Sequence, residues 1–237
     1  MKRASLCIYL CDALETDYNK FFDTPSATIY KSTSLTPKLN DKKIDKNNVR
    51  FIYGGNLGKA VGRCEPLLEL GKAVKALGFN IDVYTASKGE HMAELTEENG
   101  IRLHEAISND ELQNQIQQSD FVVHMENKEP AHVTDLKYAF STKIADMLAS
   151  GVCSIVYGST EIAGIKYFAE NNLACVIEDG EQLVSKISEL INNEELRLEY
   201  VKKAHEFAKK NHDSTVNSNK TKEILLDVYT RFKEAKK

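Results

Sequence analysis

Short apolar runs rich in β-branched residues alternate with longer amphipathic stretches along most of this 237-residue chain. Strands that are each followed by a helix must cross over before they pair. Such a chain therefore builds a parallel sheet with helices on both faces. Strands are predicted over 49–53, 79–84, 101–103, 121–125, 152–157 and 174–177, with helices over 65–77, 90–99, 110–117, 142–150 and 161–171 between them. Gly78, Gly100 and Gly151 stand where helices should end, a place that favours left-handed backbone. Three more helices are expected over 181–191, 194–210 and 215–236. The expected fold class is α/β, a Rossmann-like parallel sheet with helices on both faces.

Ahead of this series, 5–10 and 27–30 read as strands flanking a helix over 12–22. A strand–helix–strand unit of this size cannot build a core of its own. Residues 1–35 therefore read as the end of a preceding domain. The polar, Pro-containing stretch that follows makes 36–48 a linker. Residues 49–212 read as one complete ligand-binding domain. Residues 213–237 form a closing helix with nothing to pack on unless it returns to the N-terminal unit.

Composition excludes several classes. With 42% hydrophobic and 28% charged residues, the chain suits a globular domain. No apolar run approaches the length of a membrane span. Residues 1–15 open with basic residues and a short apolar run, but Asp12 and Glu15 interrupt it, so a secretory leader is the weaker reading. Five cysteines without C-x-x-C spacing read as buried reduced thiols, which points to the cytoplasm. The six histidines lack metal-ligand spacing. From Val201 onward ten Lys/Arg face five Asp/Glu, a net +5, so the −4 total leaves −9 on residues 1–200. A basic helical tail on an acidic body can rest on an anionic membrane surface, here peripherally at an inner membrane, or be a solvated face. The acidic body argues against nucleic acid as a partner.

Ligands of open parallel sheets bind beyond the carboxyl ends of the strands. Four segments fall there. In the first, Gly54, Gly55 and Asn56 follow a strand directly, with Lys59 and Arg63 close behind. Consecutive glycines let backbone amides approach a phosphate, although the same text suits a tight strand–helix turn. In the second, Ser141, Thr142 and Lys143 open a helix whose free amides can hold an anion, and Asp146 lies one turn further in, able to accept from ribose hydroxyls. In the third, Glu126 emerges at a strand end as an acceptor for a hydroxyl-rich ligand. In the fourth, Gly158 and Ser159 make a further phosphate or sugar turn, or a bare connection.

The stretch STKIADMLASGVCSIV, from Ser141 to Val156, resembles the helix–Gly–strand signature of retaining glycosyltransferases of the two-Rossmann-domain (GT-B) type, group 1, family 4-like. FIYGGNLGK resembles the first strand and glycine loop of their donor-binding domain. Residues 6–30 resemble the last strand–helix–strand of their acceptor domain, and EELRLEYVKKAHEFAKKNHD the helix before the final crossover. Their order and spacing cover nearly the whole chain. The resemblance implies that Asp146 takes the place of the second Glu of the E-x7-E motif, which contacts donor ribose. Tyr138 stands where the first Glu would be, and Asn56 stands in place of the usual Arg, with Lys59 or Arg63 supplying its charge. It further implies a glycosyltransferase that takes a UDP-, GDP- or dTDP-sugar and transfers the sugar to a saccharide or lipid-linked acceptor, as in capsule or lipopolysaccharide synthesis. No cofactor and no metal are implied, and no D-x-D motif appears. Cations and helix amides would stabilise the leaving diphosphate. No catalytic base is assigned, because it would lie in a missing N-terminal domain. Two other readings stay open: a non-catalytic flavodoxin- or receiver-like module, and a nucleotide-sugar epimerase of the same fold.

Overall fold

The computed structural model describes residues 4–39 and 42–234. The first residues of the N-terminal unit, Asn40 and Asp41 of the predicted linker, and the end of the last predicted helix lie outside the described residues.

Six strands form one parallel sheet: β3 (Phe51–Gly54), β4 (Ile81–Thr85), β5 (Ile101–Glu105), β6 (Phe121–Met125), β7 (Cys153–Tyr157) and β8 (Cys175–Ile177), in the order β5-β4-β3-β6-β7-β8. A separate parallel pair joins β1 (Cys7–Tyr9) to β2 (Ser26–Thr28) across helix α1 (Asp12–Tyr18). Side chains alternate along each strand, so each face of the large sheet acquires its own core. Phe51 and Tyr53 of β3 join one cluster with Val83, Phe121 and Ile155, which helices α2 (Cys64–Ala76) and α7 (Leu183–Asn192) cover. Ile52 points the other way, into a cluster with Val122 and Val156. Helices α5 (Ile144–Ala149), α6 (Ala163–Glu170) and α8 (Glu194–Phe207) contribute to it.

Two helices have a clear local cause. Helix α3 (Asn109–Gln118) opens on a complete capping box between Ser108 and Glu111, and turns Leu112 and Ile116, one turn apart, toward the second cluster. Helix α4 (Pro130–Leu136) carries Pro130 in its first turn, where the missing N–H is no loss. This helix was absent from the sequence reading. The helix expected over 90–99 is instead two single 3-10 turns, Glu90–Met92 and Glu97–Asn99, because Thr96 between them is extended. The helix expected over 142–150 is only six residues long.

The segment after β2 lies along the large sheet's unit. Thr33 bridges to Asp213, the Lys38 N–H donates to the Ala149 carbonyl at 3.2 Å, and Ile44 packs on the first cluster. The last helix, α9 (Ser214–Glu234), does return to the N-terminal unit. Asn217 donates to the Tyr30 carbonyl at 3.0 Å and Lys220 to the Thr28 carbonyl at 2.9 Å.

Candidate functional site

The strand order reverses between β3 and β6, and the register opens a crevice there. β3 pairs with β6 only at Phe51–Phe121 and Ile52–Val122, whereas β6 follows β7 as far as Met125 opposite Tyr157. Beyond Ile52 the two strands part. Between them lies a hollow of about 60 Å³ whose walls include Tyr53, Gly54, Arg63, His124, Ser141, Lys143 and Asp146. A wider cleft of about 410 Å³ adjoins it beyond β3, β4 and β5 and shares Gly54, Asn109, Leu112 and Lys143 with it. Gly55, Asn56, Thr85 and Ser87 line this second space.

Charge is concentrated at the hollow. Glu126, just past β6, is 2% exposed and accepts both Arg63 Nε at 2.9 Å and Arg63 Nη2 at 2.6 Å. A buried carboxylate survives only with such a partner, and a two-pronged guanidinium is the best available. His124 Nε2 lies 3.6 Å from Glu126 Oε1, too far for a hydrogen bond, and has no partner. Burial pushes its pKa down to about 4 despite that carboxylate, so the ring is neutral near pH 7. Lys143 reaches over the Tyr53 ring, its Nζ 5.5 Å from the centroid. Burial, and then repulsion from Arg63, lower its pKa to about 8. Near pH 7 the hollow therefore holds one ammonium that no buried carboxylate has claimed as tightly as Glu126 claims Arg63.

The glycine loop makes room for that ammonium. A Cβ on Gly55 would stand 2.2 Å from Lys143 Nζ and 2.4 Å from Tyr53 Oη, and one on Gly54 would stand 2.5 Å from Leu112. Exposed Asn56 accepts at Oδ1 from Gly58 N–H at 2.7 Å and Ser87 Oγ at 3.0 Å, so it shapes the loop.

The 141–146 segment is built differently from the expectation. Helix α5 begins at Ile144, with Lys143 in helical conformation at its cap position and no side-chain cap. Ser141 does not cap the helix. Its carbonyl accepts from Ile144 N–H at 3.1 Å, and its Oγ makes a long 3.4 Å contact with the Lys143 N–H. Thr142 is exposed. Six residues align few peptide dipoles, so this terminus is a weak anion grip. The charge for an anion comes from the Lys143 side chain instead. Asp146 lines the hollow, and Thr33 Oγ1 donates to its Oδ1 at 2.6 Å.

The hollow and cleft thus gather Gly54, Gly55, Asn56, Arg63, Ser141, Lys143 and Asp146, with Glu126 held behind Arg63. Lys59 is exposed on a separate 3-10 turn. Gly158 backs onto the Glu126 carbonyl, and Ser159 caps its own turn by accepting from Glu161 N–H at 3.2 Å. From sequence, Tyr53 and His124 stand at the ligand edge without a role, and Thr33 is given none. A tyrosine directly before Gly-Gly at a strand end was a legible signal for the first. Thr33 sits in a stretch without periodicity and carried none. Among the described residues no group of three or more His, Cys, Asp or Glu could hold a metal ion.

A family model described as glycosyl transferase-like matches residues 67–221. No curated protein sequence matches the chain. Solved structures do. WaaG, a glycosyltransferase involved in lipopolysaccharide biosynthesis, is 15% identical, with a TM-score of 0.60 over 90% of this chain and 60% of its own. The pneumococcal O-GlcNAc transferase GtfA, in complex with UDP and GlcNAc, is 17% identical, with a TM-score of 0.66 over 96% of this chain and 46% of its own. A mutant of S. aureus TarM, bound to UDP among other ligands, is 18% identical, with a TM-score of 0.68 over 96% and 44%. The chain thus spans roughly half the length of these proteins, and at such identities the likeness shows the fold, a GT-B Rossmann-like one. The family match rests on the sequence itself and extends over most of the chain, from α2 into α9: the chain belongs to the glycosyl transferase-like family.

Proposed function

We propose that this chain is the nucleotide-sugar-binding part of a glycosyltransferase that moves a sugar from a nucleotide diphosphate to a saccharide or lipid-linked acceptor in cell-surface polysaccharide synthesis. One observation carries the reading. At the point where strand order reverses, a glycine loop, a half-buried lysine and an acidic residue surround one hollow in a chain of this family. Lys143 meets the diphosphate as charge develops on the leaving group, where a placed cation acts most strongly. The amides after β3 approach the same phosphates, and Asp146 accepts from the ribose. The wider cleft, lined by Thr85, Ser87 and Ile107, takes the base. No cofactor takes part in this scheme. GtfA and TarM were solved with UDP, which makes UDP the first nucleotide to try.

The acceptor and any general base belong to a further domain, and the basic stretch after Val201 brings the protein to an anionic membrane surface on the cytoplasmic side. The test is calorimetric titration of UDP, GDP and dTDP into the parent, Lys143→Ala and Asp146→Ala. The parent binds one of the three, and each variant binds it at least tenfold more weakly. Equal affinity in all three proteins would remove the site assignment.

A further inference from the structure

Thr33 lies on the segment between β2 and the six-stranded unit, more than a hundred residues from Asp146 in sequence, yet it is 3% exposed and in contact with that carboxylate. Its hydroxyl is fixed from two sides. Oγ1 donates to Asp146 Oδ1 at 2.6 Å and accepts from Leu35 N–H at 3.0 Å. Its backbone is fixed as well, because the Thr33 N–H donates to the His212 carbonyl at 2.9 Å. His212 in turn has Nδ1 2.8 Å from the Lys31 carbonyl and Nε2 2.9 Å from Tyr167 Oη. Asn217 donates to Ser32 Oγ at 3.0 Å, so the residue before Thr33 is tied too. A hydroxyl held this firmly can orient whatever it touches.

A carboxylate on a short helix is free to rotate about two side-chain bonds, and a ligand must then freeze it. A charge-assisted bond to one oxygen removes much of that freedom in advance while leaving the second oxygen able to accept. We infer that Thr33 is a positioning residue for nucleotide recognition: it presets the Asp146 carboxylate so that the other oxygen takes a ribose hydroxyl. The segment preceding the large sheet is thereby part of the nucleotide site. The inference rests on the reading of Asp146 as the ribose acceptor.

The experiment compares UDP and GDP with their 2′,3′-dideoxy counterparts, titrated into the parent, Thr33→Val, Thr33→Ser and Asp146→Asn. Valine keeps the shape and removes the donor, whereas serine restores it. In Thr33→Val the ribonucleotide is expected to bind five- to tenfold more weakly while the dideoxy form stays within twofold. Thr33→Ser should match the parent within twofold. Adding Thr33→Val to Asp146→Asn should leave the ratio of ribo to dideoxy affinity unchanged. If the valine variant does not fold, Thr33→Ala takes its place with the same expectations. Equal weakening of both nucleotide forms, or weakening of neither, in a protein whose parent binds the ribonucleotide overturns this inference alone. A parent that binds no nucleotide overturns the site reading and this inference with it.

Discussion

Lys143 is the residue on which the proposed site turns, and its burial makes it titrate near working pH. Diphosphate favours the ammonium, so binding in a protein with a lysine pKa of about 8 draws on the protonated form. Affinity should be greatest at about pH 7, where the lysine is charged and the diphosphate fully ionised, and fall toward tenfold per pH unit above 8. Lys143→Arg, charged throughout, should flatten that slope, and titrations at a series of pH values report it. His124 works on stability instead. Its folded pKa near 4 lies below the unfolded value of about 6.5, so the unfolded chain binds more protons between those values. Stability should therefore be complete above pH 6.5 and decline as pH falls toward 4, and His124→Gln should lessen the decline in urea unfolding. The Arg63–Glu126 pair is the third test at this scale. Arg63→Met strands a buried carboxylate and should cost about 3–5 kcal/mol, while Arg63→Met with Glu126→Leu should recover most of that loss.

Among the elements, two glycines separate binding from folding. At Gly55 an added methyl meets the flexible end of Lys143 and the ring edge of the buried Tyr53. At Gly100 the backbone is left-handed at φ +79°, and the methyl would stand 2.1 Å from the Gly71 carbonyl, part of a packed helix. Gly55→Ala should lose nucleotide affinity as Lys143 is displaced, with a smaller loss of stability than Gly100→Ala as the methyl presses on the Tyr53 ring. Gly100→Ala should be destabilised by several kcal/mol, and thermal melting with and without nucleotide distinguishes the two. The large sheet was legible in the sequence because buried parallel strands are continuous apolar runs. Thus 121–125 and 152–157 coincide with β6 and β7 to within a residue. Helices were legible where a cap and an apolar stripe agree, as in α3. They were not where tertiary contacts decide. Thr96 interrupts a helical pattern that composition alone permits, and α5 starts only at Ile144, while Gly151 at φ +76° closes it where expected. The site was half legible. Gly54, Lys143 and Asp146 carry a signal in their residue types and Tyr53 in its place before Gly-Gly, whereas the Thr33 contact to Asp146 and the burial of His124 beside Glu126 come from the tertiary fold.

Over the whole molecule, the N-terminal unit is tied on by polar contacts and by Tyr30 against Phe140 and Tyr167, while part of its apolar surface stays open. Asp17 takes Lys137 and Tyr138 from the large unit at 2.6 and 2.8 Å, and these contacts, with Lys20, hold its carboxyl well below the usual range. Leu10 and Phe21 nevertheless remain 63% and 79% exposed. Helix α9 repeats the pattern. Asn217, Thr221, Ile224 and Val228 face inward, whereas Leu225, Leu226 and Tyr229 are more than half exposed, beside Lys222, Lys233 and Arg231, the last of these paired with Asp227. No helix of the described residues is long and apolar enough to cross a membrane. An apolar strip flanked by cations is the pattern of a helix that lies in a lipid interface, and each basic residue near an anionic surface adds about 1 kcal/mol. Flotation should carry the protein with phosphatidylglycerol vesicles at low salt and leave it behind with phosphatidylcholine vesicles. Raising the salt should release it, because the cations are exposed and screened. Leu225→Ser with Leu226→Ser should weaken flotation while nucleotide affinity stays unchanged, since these residues lie outside the hollow and the cleft. Protein that stays in solution with both lipids would assign this apolar surface to contact with protein instead.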